Sequence, residues 1–96
     1  MPALTNPADR TDVLNRLRRA EGQIRGVQRM IEEGESCLKI GQQFSAVRKA
    51  LDSTYVRMTM CFMEQELGSC LHPDDGQKAG IELMLKDMEA LLARMT

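Results

Sequence analysis

The stretch IGQQFSAVRKALDSTYVRMTMCFMEQEL, residues 40–67, decides how this chain folds. Its apolar side chains recur three or four residues apart, the spacing that puts them on one face of an α-helix. Those positions are Ile40, Phe44, Val47, Leu51, Tyr55, Met58 and Phe62. Ser36 is a suitable N-cap before the stretch, and no proline interrupts it before Pro73. We therefore predict one long helix over about residues 37–69.

A second apolar stripe lies upstream, at alternating spacings of four and three residues. It consists of Val13, Leu17, Ala20, Ile24, Val27 and Ile31. Asn6 is a suitable N-cap with Pro7 at the first helical position, and Gly34 is a typical helix terminator. The pattern predicts a helix over about residues 7–33, preceded by a flexible arm of residues 1–6.

A third, shorter helix is predicted after a loop at residues 72–76. Asp74, followed three residues later by Gln77, resembles a capping box, and apolar residues again recur at helical spacing over about residues 76–95. A short loop joins the two long helices, so they should pack antiparallel. The sequence predicts one all-α domain over residues 1–96, with three helices, a long antiparallel hairpin and no helix-turn-helix.

Size and composition favour a core that is completed between chains. The 96 residues include 3 % aromatic residues and no tryptophan, while 43 % are hydrophobic. A chain this short buries only about 60–65 % of its unfolded surface, so we predict self-association. No apolar run approaches the roughly 18 residues of a membrane span and no signal-peptide core is present, which predicts a cytoplasmic protein without a membrane partner. Three cysteines, an odd number, favour free thiols.

Positive charge is concentrated on the first predicted helix, although the net charge is −1. Between Arg10 and Met30 the chain has six arginines and two acidic residues. The arginines are Arg10, Arg16, Arg18, Arg19, Arg25 and Arg29. Arg48 and Lys49 add charge on the second helix. Guanidinium groups bind phosphate bidentately, which suits nucleic-acid binding, but a solvated helix face accounts for the same pattern.

RLRRAEGQIRGVQRMIEEGESC (residues 16–37), followed by QQFSAVRKAL (residues 42–51), resembles the CsoR/RcnR/FrmR family of copper-, nickel/cobalt- and formaldehyde-sensing transcriptional repressors. The likeness covers about residues 7–70. It implies an all-helical dimer of dimers that binds operator DNA and releases it when a small-molecule or ion effector occupies a site between subunits. The positions that match the family's DNA-binding residues are Arg16, Arg18, Arg19, Gln23 and Arg48, with Lys49 beside them.

The metal-ligand set that the resemblance implies is incomplete here. Copper sensors use a cysteine at the start of the second helix, and a histidine and a cysteine one turn apart near its end in the partner chain. Cys37 matches the first position, but Phe62 and Glu66 occupy the other two. The only histidine, His72, lies in a predicted loop, which counts against a nickel or cobalt site. Cu(I) or another transition metal at Cys37, with a non-standard ligand set, is therefore an alternative interpretation.

A thiol-directed effector suits the same residues. The formaldehyde sensors begin Met-Pro and tend to carry glutamate at the last ligand position. This chain likewise begins with Met1 and Pro2 and has Glu66 at that position. The secondary amine of Pro2 is able to condense with an aldehyde that Cys37 of a neighbouring chain then traps, although chance also accounts for a proline at position 2. Glu82 corresponds to a third-helix glutamate that the family uses beside its sensing site.

Reactive sulfur is the other thiol-directed candidate. In persulfide-sensing relatives the second-helix cysteine cross-links to another cysteine across the dimer, so Cys61 or Cys70 is a candidate partner for Cys37. Packing accounts for Cys61 and Cys70 as well, whereas a helix N-terminus favours a reactive Cys37. We predict a repressor released by an aldehyde or reactive sulfur at Cys37. The alternatives are a metal-sensing repressor and a helical interaction module without DNA affinity. The sequence contains no group of residues typical of an active site, so we predict that the protein is not an enzyme.

Overall fold

Three α-helices account for nearly all of the described chain. The computed structural model describes residues 2–71 and 74–94, apart from the side chains at positions 70 and 71. Helix α1 spans Pro7–Glu32, α2 spans Cys37–Leu71 and α3 spans Asp75–Ala93. The predicted all-α fold with a long hairpin is confirmed.

Local side-chain contacts define where the helices begin and end. Asn6 Oδ1 accepts hydrogen bonds from two N–H groups of the first turn of α1, at 2.9 and 3.2 Å. Ser36 Oγ accepts one from the first turn of α2 at 3.3 Å. Asp74 and Gln77 form the predicted capping box of α3, with bonds of 2.7 and 3.0 Å. Gly34 follows α1 with φ 73°, a left-handed conformation that glycine adopts without strain.

The observed helix bounds differ from the predicted ones by at most two residues. Helix α1 ends one residue early, α2 continues two residues further, and α3 is shifted by one residue at its start and two at its end. Offsets of this size are usual for helix termini, which fray. No helix in the described part of the chain is long and apolar enough to cross a membrane.

The core of the hairpin is built from small side chains at seven-residue intervals. They are Val13, Ala20 and Val27 on α1, and Val47, Thr54 and Cys61 on α2. A seven-residue repeat keeps the buried row on nearly one face of each helix. Helix α3 packs against α2 through Leu85, which is 3 % exposed. It therefore covers one side of the hairpin only.

Much apolar surface stays uncovered in one chain. The chain exposes 7138 Å², whereas a compact 10.8 kDa monomer exposes about 5,500 Å². Its radius of gyration, 17.2 Å, exceeds the roughly 12.5 Å expected for this length. Tyr55, predicted in the long apolar stripe, is 68 % exposed, and Phe44 is 57 % exposed. Neither ring is buried within one chain, as expected if the core is completed between chains, and the dimer of dimers stays a prediction.

Candidate functional site

Cys37 is the first residue of α2, and its thiol is free and exposed. It lies at the end of the hairpin where a short loop joins α1 to α2. Among the residues that the structure describes, no group of three histidine, cysteine or acidic side chains is arranged to hold a metal ion. Cys37 therefore has no described set of partner donors within its own chain.

Phe62 and Glu66 lie near the opposite end of α2, and both are half-buried. The separation of 66 − 37 = 29 residues corresponds to about 43 Å along the helix axis. At about 100° per residue, however, Cys37, Phe62 and Glu66 project within about 40° of one another around α2. One chain does not bring the three residues together, but it presents them on one face.

The surface between Cys37 and Glu66 is apolar. It carries a row that we call the α2 stripe: Phe44, Leu51, Tyr55 and Met58, which are exposed by 57, 39, 68 and 39 %. Exposed apolar residues of α1 lie on the same side of the hairpin, namely Leu14, Leu17, Ile24 and Ile31. Because α3 packs against the side of α2 that carries Arg57, the α2 stripe occupies the uncovered side.

The predicted DNA-binding residues form separate patches on one chain. Three of them are exposed on α1: Arg18, Arg19 and Gln23. Arg16 is half-buried, and its Nε donates to Asp12 Oδ1 at 3.1 Å. Arg48 borders the α2 stripe beside Phe44, with which it lines a shallow cavity, and Lys49 is exposed. A single protomer thus presents two basic areas, one on each helix of the hairpin.

The N-terminal arm is bound at the Glu66 end of α2. Gln65 Nε2 donates to the carbonyl oxygen of Ala3 at 2.9 Å, and the N–H of Thr5 donates to Gln65 Oε1 at 2.8 Å. Pro2 precedes Ala3 and is exposed. The structure therefore puts Pro2 at the same end of α2 as Glu66 and far from the start of that helix. Flexibility of the arm stays a prediction.

The other predicted thiols have different surroundings. Cys61 is free and 1 % exposed, and burial raises the pKa of its thiol to about 11. At neutral pH it is therefore a protonated, packed side chain. The side chain of Cys70 and all of His72 lie outside the described residues. An effector-sensing role of Cys61 or Cys70 stays a prediction, and the predicted loop position of His72 falls outside the described residues.

Acidic residues from all three helices meet beside the arm. Asp9, Glu64 and Glu82 line a cavity of about 420 Å³ together with Gln65 and Lys78. Partial burial, followed by the charges of Glu82 and Asp9, raises the pKa of Glu64. The cavity puts Glu82 toward the same end of α2 as Glu66, the end that the family resemblance connects with sensing.

A cluster of ion pairs that sequence reasoning missed joins the three helices. Arg57 of α2 donates through Nε to Asp12 of α1 at 3.0 Å, and through Nη1 to Glu89 of α3 at 2.8 Å. The sequence signal that pointed to this cluster is the position of Arg57 within the apolar run of α2, because a charged side chain in a packed helix needs partners of opposite charge. Sequence spacing did not reveal those partners, because they lie 45 and 32 residues away.

Comparison with known proteins identifies the family that this chain matches. The family described as "Metal-sensitive transcriptional repressor" matches residues 9–94. The copper-sensing transcriptional repressor CsoR of Bacillus subtilis (strain 168) is 32 % identical over 76 residues, which cover 79 % of this chain and 75 % of CsoR. The copper-sensing transcriptional repressor RicR of Mycobacterium tuberculosis (strain ATCC 25618 / H37Rv) is 36 % identical over 81 residues, 83 % of this chain and 80 % of RicR.

No solved structure matches the chain significantly. Both relatives are named as repressors and neither as an enzyme. The family match covers both long helices and α3, and it includes the segment at residues 16–51 on which the resemblance was recognised. That resemblance is therefore confirmed: the chain belongs to the family of metal-sensitive transcriptional repressors.

Proposed function

We propose that this chain is a DNA-binding repressor whose DNA affinity falls when an effector binds at Cys37 between two subunits. The observation that carries the proposal is the position of Cys37 and Glu66 on one face of α2, at opposite ends of the α2 stripe. An isologous antiparallel pairing of two α2 helices brings opposite ends together. Centred between Leu51 and Asp52, it brings Cys37 of each chain to Glu66 of the other.

This pairing also accounts for the surface that one chain leaves uncovered. The excess over a compact monomer is about 1,600 Å², and a standard protein interface removes about 800 Å² from each partner. The excess is thus enough for two contacts of standard size on each chain. That surface supports a dimer, and a second contact of the same size supports a dimer of dimers.

Cu(I) is the effector that we put first. The sequence favoured an aldehyde or reactive sulfur, but the matched family is described as metal-sensitive and both relatives are named as copper-sensing, which supports the metal alternative. Cu(I) prefers thiolate ligands, and Cys37 supplies one. Because Phe62 has no donor atom, another soft donor is needed. We assign that role to Cys70, whose backbone lies in the last turn of α2, one turn beyond Glu66.

An aldehyde is the second candidate, supported by the bound arm. Gln65 holds the arm at the Glu66 end of α2, so the same pairing brings Pro2 of one chain toward Cys37 of the other. After removal of Met1 the Pro2 amine adds to formaldehyde, water leaves, and the thiolate closes a one-carbon bridge. The two nucleophiles required for that bridge would then lie across one interface.

Either effector acts through a difference in affinity between two arrangements of the subunits. It lowers DNA affinity only if it binds the DNA-incompetent arrangement more tightly than the competent one. A site shared between subunits meets this condition, because the separation of Cys37 from Glu66 of the partner subunit changes when the subunits move. Arg16 and Arg48 would then be carried to positions that no longer match the phosphate spacing of DNA.

Fluorescence anisotropy with a duplex from the region upstream of the gene tests the proposal. We expect specific binding by the wild type at low salt and release on adding Cu(I) under reducing, anaerobic conditions. Cys37→Ala and Cys70→Ala should bind the duplex normally but not release it, whereas Cys61→Ala, the buried-thiol control, should respond as the wild type does. A wild-type protein without specific DNA affinity would refute the repressor and favour the interaction module.

Two parallel treatments separate the other effectors. Formaldehyde should release the protein from DNA. It should also give a cross-linked pair of chains that is heavier than the two chains together by the mass of one carbon, and this species should be absent in Cys37→Ala. A persulfide should give a reductant-sensitive interchain species that Cys37→Ala also lacks. If either reagent released DNA while Cu(I) did not, the thiol-directed effector would return to first place.

A further inference from the structure

Helix α1 carries two glycines for which the described part of the chain offers no packing reason. Gly22 and Gly26 lie one turn apart, and a Cβ added at either position would meet no described atom within 4 Å apart from the adjacent backbone of α1. Glycine is, apart from proline, the least favourable residue in a helix interior because it loses the most conformational entropy. Gly22 lies opposite the buried row of Val13, Ala20 and Val27 on α1, whereas the half-buried Gly26 lies about 120° around the helix from the middle of that row. We call these two residues the glycine strip.

Arginines border the glycine strip on both sides. At about 100° per residue, Arg18, Arg25 and Arg29 form a row along one edge, about 16 Å long, and Arg19 lies along the other edge. Arg25 makes only an exposed 3.7 Å contact with Glu21. Within the described residues Arg29 is in no ion pair, so the guanidinium groups of this row are little neutralised by the chain itself.

We propose, resting on the proposed function, that the glycine strip with Arg25 and Arg29 contacts the sugar–phosphate backbone of DNA. Without Cβ atoms at Gly22 and Gly26, a DNA strand is able to approach the helix backbone closely. The guanidinium groups along the edges then reach successive phosphates, a kind of contact that positions a protein on the duplex without reading its sequence. A second copy of this chain is a less favourable partner for the glycine strip, because two identical basic surfaces repel each other.

The variant Gly26→Ala tests the close approach. In the free protein, alanine is the better helix residue, so the thermal midpoint should not fall. Binding to the upstream duplex should weaken by roughly tenfold, because the added methyl group lengthens or breaks a charge-assisted hydrogen bond to a phosphate. Gly80→Ala on α3 is the matched control, since a Cβ at that position also meets nothing within 4 Å. It should bind DNA as the wild type does.

The variants Arg25→Gln and Arg29→Gln test whether the positive charges of these two side chains contribute to DNA binding. Each should weaken binding to the upstream duplex and to an unrelated duplex by the same factor. Each should also lower the slope of log affinity against log salt by roughly 0.9 for every phosphate that the variant no longer neutralises. Arg94→Gln, exposed at the end of α3, is the control and should leave the affinity and the slope unchanged.

Three outcomes overturn the inference. They are an unchanged DNA affinity in Gly26→Ala, an unchanged salt slope in both arginine variants, and an altered oligomeric state of Gly26→Ala without DNA. The last outcome, measured by analytical ultracentrifugation, would assign the glycine strip to contact with a second copy. A wild type that binds no duplex at low salt would refute the proposed function itself, whereas equal binding by the wild type and the variants refutes only this inference.

Discussion

Arg57 in α2 donates a hydrogen bond through Nε to Asp12 in α1, with a nitrogen–oxygen distance of 3.0 Å. Its Nη1 donates to Glu89 in α3 at 2.8 Å, so one side chain connects all three helices. Arg16 donates to the second carboxylate oxygen of Asp12 at 3.1 Å. The Arg57 side chain is 30 % exposed, which means that solvent partly screens these contacts.

Replacing Arg57 with methionine should destabilise the fold. The variant keeps an apolar stem, but it leaves two carboxylates without their shared partner. We expect the free energy of unfolding, from urea denaturation at fixed protein concentration, to fall by about 1–2 kcal/mol. Arg94→Met is the control and should change it by less than about 0.5 kcal/mol. If the two variants were equally destabilised, water would be replacing the Arg57 contacts at no cost.

The carboxylate of Asp12 should make stability depend on pH in the acid range. The hydrogen bond from Arg16 lowers the pKa of Asp12 most, partial burial opposes it, and the hydrogen bond from Arg57 adds to the lowering. In the unfolded chain the pKa of an aspartate is about 3.9. The contribution of Asp12 to the free energy of unfolding is therefore complete above about pH 5, and it is lost as the pH falls through the lowered pKa of Asp12 in the folded protein.

The matching variant is Asp12→Asn, which has no titrating group. We expect the wild type to lose more free energy of unfolding than Asp12→Asn between pH 5 and pH 3, by on the order of 1 kcal/mol after solvent screening. Urea denaturation across this range measures the difference. Parallel stability curves for the two proteins would contradict the role assigned to the carboxylate.

Glu64 should have the opposite effect. Partial burial raises its pKa, the charges of Glu82 and Asp9 add to the rise, and Arg57 and Lys86 oppose it. An acid with a raised folded pKa destabilises the fold when ionised, so the penalty is complete above the folded pKa and is lost as the pH falls below about 4.3. Glu64→Gln should therefore be more stable than the wild type at pH 7, by up to about 1 kcal/mol. A stability difference that persists unchanged at pH 3.5 would contradict this explanation.

Cys37 and Cys61 should differ in their rate of alkylation. Burial raises the pKa of Cys61 to about 11, so only about 0.1 % of it is thiolate at pH 8. In a Cys70→Ser background we expect iodoacetamide to modify Cys37 fully before Cys61 reacts detectably, as measured by peptide mass spectrometry. Unfolding in guanidinium chloride should make the two thiols react alike. Equal rates in the native protein would mean that the contact between α1 and α2 opens faster than the reagent reacts.

Helix termini were predictable because their determinants are local. Asn6, Ser36 and Asp74 each bond to an N–H group within three residues, so the sequence signal and the contact coincide. Burial was harder to predict. A helical period marks Tyr55 as part of an apolar face, but it does not tell whether the covering surface belongs to the same chain or to another.

Part of the candidate site was equally beyond sequence reasoning. Cys37 was identified from the residues, and the structure shows it exposed at the start of α2. Its sensing role stays a prediction. The position of Pro2 at the Glu66 end of α2 was not predicted. It depends on Gln65 bonding to backbone atoms of the arm, and backbone groups have no sequence pattern.

Replacing Leu51 with lysine should separate the subunits. Leu51 is 39 % exposed and lies at the proposed centre of the antiparallel α2 pairing, where the two copies of one residue approach each other. Two like charges in that apolar contact disfavour association, while the helices of each chain keep their own core. We expect a smaller species in sedimentation velocity, unchanged helical circular dichroism, and weaker DNA binding, since fewer basic surfaces are held together.

The control for this variant is Leu83→Lys. Leu83 is a more exposed leucine, at 62 %, on α3 and outside the α2 stripe. It should leave assembly and DNA binding unchanged. In the proposed assembly, Cys37 meets Glu66 of the partner subunit only when the α2 helices pair. Leu51→Lys should therefore also lose the response to Cu(I), even if it still binds DNA. If Leu83→Lys dissociated the assembly and Leu51→Lys did not, the chains would pair through α3, and the site between subunits would have to be built from other residues.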